Sequence, residues 1–520
     1  MPHVKSLSNM LSCIGVNPSD FVEQNTNLNS FERLSLDSRN CNQQTIFVAI
    51  YGLQTCGHLF LESAASLGCR LALVETKEAS KNGQVEQIKY STESSIICIS
   101  VFELNQKLAD IAYSFYQAKN QSANFNSLPN VTAITGTNGK TSVATFTRQI
   151  WEELDLAAVN FGTTGVEGAF SAPLNHTTPE PITLHRLLAK LKSEGITHAA
   201  MEASSHGLAQ SRLDGVRLMA AAFTNFSQDH LDYHTDFDDY FNAKAGLFDR
   251  VLSDDGTAVI NIDDARGSDM LAIAHSRGHQ VLTIGRRADA DLRIMGQRYD
   301  ATGQDLLFEF MGNSHHTRLK LIGGFQAENI LAAAGLVIGT GVPPEEVFET
   351  LPRLGTVRGR MELAATRDNG APVFVDYSHT PDAIASALKA LRPHVMGRIV
   401  AIVGAGGDRD TTKRPLMGLA ACENADVVFV TDDNPRSEDP AVIRSAVMLG
   451  CAKVTGITAL EVGDRAEAIL RGVDALGPGD ALLICGKGHE TGQVVGDQVL
   501  PFDDCEQASV AVAALEGRLT

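Results

Sequence analysis

The chain has 520 residues, of which 44% are hydrophobic and 20% charged, with a formal net charge of −19; that length and composition predict about three domains, each with a core of its own. The acidic balance excludes a bulk nucleic-acid or anionic-membrane binder, which needs a basic surface, but leaves room for a locally basic pocket. No apolar run approaches a membrane span, no basic-then-apolar leader opens the chain, and nine cysteines without a CxxC pair predict free thiols in a reducing, cytoplasmic setting.

In chain order, the first segment carries β-like runs at Thr45–Ile50 and Arg70–Glu75 and an amphipathic stretch near Leu104–Tyr116. A polar stretch, 119–127, ends at Pro129 and reads as a linker. A strand at Val131–Thr135 then runs into a Gly-rich turn and a helix through Leu154. Up to about residue 350 the pattern predicts alternating strands and helices. Thr197–Glu202 and Met219–Asn225 read as strands, and Tyr240–Asp249 and the Ala-rich Phe325–Ile338 as helices. A second boundary falls near Leu354–Gly359. Beyond it a third βα series has strands at Val373–Tyr377, Arg398–Gly404, Asp426–Thr431 and Asp480–Cys485. The fold class expected is α/β with three domains. These are a small N-terminal α/β domain (1–128), a central P-loop-type mononucleotide-binding domain with a mostly parallel sheet (129–355), and a C-terminal Rossmann-like α/β domain (356–520). In such open sheets ligands gather at the C-terminal ends of strands.

The turn after the first central strand is Gly136-Thr137-Asn138-Gly139-Lys140-Thr141-Ser142. Backbone N–H groups of a strand–loop–helix of this kind cradle phosphate oxygens, and the helix N-terminus adds its positive end. Lys140 would neutralise the β- and γ-phosphates, and the Thr141 hydroxyl would meet Mg²⁺. The loop is shorter than the usual pattern, with Ile134 where the first Gly would stand. Glu202 closes the next strand, where a carboxylate can reach a Mg²⁺ held at the neighbouring loop. His230, in a stretch that follows the strand after that, is a further candidate ligand. The i, i+4 spacing of His230 and His234 also permits a zinc reading, although oxygen donors beside a phosphate loop suit Mg²⁺ better.

Nine motifs run in order from residue 136 to 490: GTNGKTS, MEASSHGL, FTNFSQDHLDYH, AENILAA, GRMEL, VDYSHTPDA, GAGGDRD–KRPLMG, DNPR and CGKGHE. On these the sequence resembles the Mur ligase family, whose members join a carboxylate to an amine with ATP through an acyl phosphate. The resemblance implies two Mg²⁺ ions held by Thr141, Glu202, His230 and Lys244, the last as a CO₂-derived carbamate. Carbamylation needs a neutral amine first, hence a locally depressed pKa. It implies catalytic roles for Lys140, Lys244, His230 and Glu202, and ATP contacts from 136–142, Asn329, Arg360 and Asp376. It implies closure of the third domain over the nucleotide, which would exclude water.

A UDP-linked muramoyl dipeptide is the implied acceptor, met by Ser38, Thr177, Thr178, Ser204, Gln210 and Arg212, with Arg212 pairing a carboxylate. Where relatives have Asp-Gly-His, this chain has Cys56-Gly57-His58. Asp433-Asn434-Pro435-Arg436 marks the branch that adds diaminopimelate. That amino acid is lysine with an extra carboxylate at the far end, which Arg436 can grip bidentately. Lysine would leave the guanidinium unpaired, at a cost of about 3–5 kcal/mol. Arg409 matches a second carboxylate contact, and Gly486 and Glu490 match contacts to the distal ammonium. The resemblance implies small-molecule partners only, a monomer, and neither nucleic acid nor a membrane span. The competing readings are a folylpolyglutamate synthetase, with a similar loop but no DNPR, a lysine-adding ligase, an ATP-hydrolysing switch, and a non-enzymatic binding module.

Overall fold

A computed structural model describes residues 2–24, 28, 30–52, 55–91, 94–118, 128–227 and 233–518. The expected linker at 119–127 and His230 lie outside the described residues. Three sheets follow one another along the chain, with a separate two-stranded ribbon near the C-terminus.

The first sheet has the order Arg33–Ser35, Thr45–Ala49, Leu71–Thr76, Ser95–Phe102, Val85–Lys89, all parallel except the last edge strand. Helix Leu104–Ala118 covers one face: Leu104, Leu108, Ile111, Ala112 and Phe115 recur at helical spacing and pack with Val48, Leu73 and Ile99.

The central sheet has ten strands, and its middle is the parallel set Leu252–Asn261, Leu218–Phe223, Asn130–Thr135, His198–Glu202 and Ala158–Gly162. Strand Asn130–Thr135 reads as a continuous apolar run because both its faces are covered: Val131 and Ala133 join one core, Ile134 the other. Helix Phe325–Gly339 is rich in Ala and Gly because it lies close on the sheet. A Cβ at Gly335 would meet Val259 at 2.9 Å and one at Gly339 would meet Thr257 at 2.9 Å.

Two expectations are corrected here. The strand–helix alternation does not continue to residue 350: Leu292–Asp300, Gly303–Phe310 and Asn313–Leu319 form an antiparallel meander that extends the sheet. Alternate side chains such as Leu306, Phe308 and Phe310 are buried, which gives that segment a two-residue period. The helix expected at Tyr240–Asp249 starts earlier, as Phe237–Gly246, because Asp236 caps it by accepting from Asp239 N; a π-helical turn, Leu247–Val251, follows.

The third sheet has the order Glu362–Thr366, Pro372–Asp376, Ala481–Cys485, Ile399–Val403, Val427–Val430, Thr458–Glu461, parallel except for the first strand. It too has cores on both faces, with Ala401 and Leu483 in one and Val400, Ile402, Leu482 and Ile484 in the other. His394 clasps it to the central sheet. Its Nε2 accepts from Gly323 N (3.0 Å) and its Nδ1 donates to Asp300 O (2.7 Å). All nine cysteines are free, and no helix among the described residues is long and apolar enough to cross a membrane.

Candidate active site

The phosphate loop sits between strand Asn130–Thr135 and helix Lys140–Glu153. Two glycines shape it. Gly136 has φ +150° and so little room that a Cβ would lie 1.9 Å from Thr224 Oγ1; Gly139 has φ +87°, and a Cβ there would lie 2.6 Å from Asn329 Oδ1. The neighbouring strand end braces the loop. Thr224 Oγ1 donates to Asn138 O (2.6 Å), Asn225 Oδ1 accepts from Asn138 N (2.9 Å), and Thr137 Oγ1 accepts from Ser227 N (2.9 Å). Lys140 folds back over the loop, its Nζ 2.8 Å from both Gly136 O and Thr137 O. Ser142 is buried in the first turn of the helix. Asn329, also buried, donates to Gln326 Oε1 (3.1 Å) and presents its Oδ1 to the loop at Gly139.

Glu202 and Thr141 meet beside this cradle. Thr141 Oγ1 donates to Glu202 Oε1 (2.9 Å), which also accepts from Thr163 N (3.2 Å). Burial raises the Glu202 pKa, while Lys140, the Thr141 hydroxyl and Arg360 oppose that shift. A buried carboxylate that its own neighbours do not fully compensate, with a hydroxyl beside it, is a fitting partial shell for Mg²⁺, whose remaining positions nucleotide phosphates and water can fill. Among the described residues no group of three or more His, Cys, Asp or Glu could hold a metal ion. His234 is buried among the rings of Tyr233, Tyr240 and His206, with Nδ1 3.3 Å from Asp239 Oδ2. Lys244 is 1% exposed; its Nζ donates to Gly136 O (2.8 Å) and lies 4.5 Å from the Tyr240 ring centroid. Its amine thus stands against the phosphate loop.

Thr178, Ser204, Gln210 and Arg212 form a second cluster beyond Glu202. Thr178 Oγ1 donates to Glu202 O (2.8 Å), lies 3.0 Å from Ser204 Oγ and accepts from Ser204 N (3.0 Å). Ser204 caps the short helix Ser205–Ala209. Arg212 Nη1 donates to Thr178 O (2.7 Å), and its Nε and Nη2 donate to Gln210 Oε1 (3.1 and 2.7 Å). Thr177 adjoins the cluster, half-buried. Ser38 is on another domain, buried in the single turn Ser38–Asn40 that Asp37 caps. Cys56 stands at the N-cap of the turn Gly57–Phe60 and makes no capping bond, where an Asp would accept one.

A third cluster lies at the strand ends of the last sheet. Arg436, at φ +52°, donates from Nη1 to Gly407 O (2.7 Å), while its backbone is pinned to the ribbon Gly492–Val495 through Val494 O (3.0 Å). A Cβ at Gly406 would lie 2.8 Å from Arg436 Nη1 and 3.8 Å from Arg409 Cγ, so both arginines flank that glycine. Arg409 is exposed and Arg436 half-buried. Asn434 donates to Glu490 Oε2 (2.9 Å), and a Cβ at Gly486 would press on Asp433 Oδ2 at 2.5 Å. Pro435 is buried between these residues in sequence. The turn thus brings Arg436 beside Arg409 and Asn434 onto the acid Glu490.

Arg360 reaches from the third sheet toward the site of Glu202, and Asp376 orders the segment that carries it. Asp376 accepts from Met361 N (2.8 Å) and Ser378 N (2.9 Å), which fixes the segment that enters the third sheet. Arg360 lies over the Tyr377 ring, 4.5 Å from its centroid, and is near enough to Glu202 to favour its ionised form. Sequence reasoning missed Tyr377, whose ring also packs on His489 and His379, and Lys487, which is wholly buried. Both lie inside recognised motifs, and nothing local distinguishes them from their neighbours.

A glycine turn of phosphate-loop form beside a buried Thr141–Glu202 pair, within the field of an arginine carried by another sheet, is the arrangement of a nucleotide-dependent enzyme. The model of the Mur ligase middle domain matches residues 134–337, and that of the Mur ligase glutamate ligase domain matches 359–488. The UDP-N-acetylmuramoyl-L-alanyl-D-glutamate–2,6-diaminopimelate ligase of Bradyrhizobium diazoefficiens is 44% identical over 485 residues, 92% of this chain and 94% of that protein. The ligase of the same name from Brucella melitensis is 42% identical over 493 residues, 92% and 94% of the two chains. A solved structure of a ligase of that name superposes with a TM-score of 0.68 at 32% identity, covering 94% of this chain and 95% of the other. The chain belongs to the Mur ligase family, and it is an ATP-dependent amide-bond-forming ligase.

Proposed function

We propose that the protein joins meso-2,6-diaminopimelate to the D-glutamate of UDP-N-acetylmuramoyl-L-alanyl-D-glutamate, with ATP, in peptidoglycan synthesis. The carrying observation is the DNPR turn, which sets Arg436 beside Arg409 and Asn434 on Glu490. It offers guanidinium for a carboxylate and carboxylate for an ammonium, as the far end of diaminopimelate demands.

In this reading residues 1–128 and the Thr177, Thr178, Ser204, Gln210 and Arg212 cluster hold the muramoyl substrate, with Ser38 on the uridine side. Residues 129–355 hold ATP and 356–520 the amino acid. The glutamate carboxylate and the triphosphate repel each other, and Lys140 and Arg360 bring them together. An oxygen of that carboxylate attacks the γ-phosphorus and ADP leaves. The diaminopimelate amine then attacks the acyl carbon, losing a proton, and phosphate leaves. Thr141, Glu202, His230 and a carbamylated Lys244 would hold two Mg²⁺ ions, which supply charge neutralisation at the phosphates. Asn329 and Asp376 contact the nucleotide, and Gly486 and Glu490 the distal ammonium. The enzyme works as a cytoplasmic monomer.

Phosphate release tests this directly. Purified protein with ATP, Mg²⁺ and the muramoyl dipeptide should release phosphate on adding diaminopimelate, and little with lysine or with no amino acid. Equal rates with lysine would overturn the assignment of substrate, and release without any amino acid would favour a simple ATPase.

A further inference from the structure

We propose that Lys487 is a positioning residue that sets the spacing between the carboxylate-binding and ammonium-binding ends of the diaminopimelate pocket; this rests on the reading of the third domain given above. Lys487 follows strand Ala481–Cys485, and its side chain has no exposed surface. Its Nζ donates to Asn434 Oδ1 (3.0 Å) and lies 3.5 Å from Glu490 Oε2. Asn434 Nδ2 in turn donates to the same Glu490 oxygen (2.9 Å), which closes a triangle of Lys487, Asn434 and Glu490.

The amide can sit only one way round. Asn434 Oδ1 receives both the lysine and Val494 N (2.9 Å), so the amide nitrogen must face Glu490. Asn434 belongs to the same tetrapeptide as Arg436. Whatever fixes Asn434 against Glu490 therefore fixes the interval between the guanidinium and the carboxylate. The turn that carries Lys487 has little freedom: a Cβ at Gly486 would press on Asp433 and one at Gly488 on Tyr377, at 2.5 and 2.7 Å.

Charge points the same way. Burial draws the Lys487 pKa down, and Asp433 and Glu490 push it back up; Arg465 opposes and Asp504 assists. Arg465 and Asp504 are already paired with each other in the interior. Asp433, which also acts on Arg465, and Glu490 are the acids that favour the Lys487 cation most. Lys487 and Asn434 both approach the same Glu490 oxygen and so orient the carboxylate, which the substrate's distal ammonium then meets. Lysine as substrate would present that ammonium without the carboxylate that Arg436 awaits.

The test compares full-length wild type with Lys487→Met, which keeps the length and removes the charge, by steady-state phosphate release and thermal melting. We expect the diaminopimelate KM to rise by about tenfold or more, and the preference for diaminopimelate over lysine to fall by a similar factor, with the ATP KM within about twofold of wild type. Lys487→Arg should restore part of the preference. If Lys487→Met does not fold, Lys487→Gln, which keeps a donor toward Asn434, carries the same comparison. Unchanged diaminopimelate KM and preference in a folded variant overturn the proposal. So does a fall in kcat alone, the mark of a merely structural lysine. If the wild type itself does not use diaminopimelate, the substrate reading fails instead.

Discussion

In the proposed reaction, Lys140 and Arg436 are the single positions on which most depends. Lys140 already lies across the loop that it serves, held by two carbonyl oxygens of that loop. Lys140→Ala should lower kcat by about 10²–10³-fold, the usual cost of losing one charge-stabilising group at a transferring phosphoryl centre; single-turnover phosphate release measures it. Arg436 is different, because its left-handed backbone and its bond to Gly407 O hold the side chain in place. Arg436→Ala should raise the diaminopimelate KM by about a hundredfold, the scale of a charge pair left half-made, while ATP binding persists. Competition titration of nucleotide and amino acid separates the two effects. Both residues could be singled out in the sequence because each stands in a short motif, and the structure places Lys140 on the glycine turn and Arg436 beside Gly407.

Elements were legible where their signal is local. Strand Asn130–Thr135, the glycine turn and helix Lys140–Glu153 follow from an apolar run, two glycines and a helical apolar stripe. The meander over 292–319 was not, although its two-residue burial period is present in the chain. Its strands pair only with each other and with the edge of a sheet built elsewhere, so nothing nearby in sequence announces the partner. The start of helix Phe237–Gly246 likewise depends on a cap rather than on apolar spacing. A constraint at the scale of the element falls on Gly139, where the turn takes φ +87° against Asn329. Gly139→Ala should destabilise the fold by roughly 1–2 kcal/mol from the left-handed conformation alone. It should also weaken nucleotide binding by about tenfold or more, because the added methyl displaces Asn329; chemical denaturation and nucleotide titration report the two parts.

The whole molecule is held together by contacts between sheets, and several of them use neutral histidines. His394 accepts from Gly323 N and donates to Asp300 O, which defines an uncharged ring, and burial lowers its pKa. His185, on helix Pro181–Ser193, packs edge-on to Tyr113 of the first domain with ring centroids 5.8 Å apart, and burial lowers its pKa to about 4. A depressed folded-state pKa means that the unfolded chain takes up the proton first as the pH falls below 6.5. Stability is therefore full above that value and declines until the folded pKa is reached. His185 alone should remove on the order of 2 kcal/mol between pH 7 and pH 5. His185→Leu should flatten the dependence over that window in equilibrium denaturation, and an unchanged slope would show that the fold does not depress the pKa of this ring. Arg360 acts on the same scale: it rises from the segment entering the third sheet, rests on Tyr377 and reaches the field of Glu202 in the central domain.

The sequence by itself determined the α/β class, the phosphate loop, the family and the DNPR turn, because each is written in contiguous residues whose backbone or charge requirements are local. Only the tertiary structure decided that Glu202 stands on Thr141, that Lys244 is buried against Gly136 O, that Arg360 spans two domains, and that Lys487 joins Asn434 to Glu490. Those pairings join residues far apart in the chain, and their strength comes from exclusion of water, which exists only once the sheets have packed.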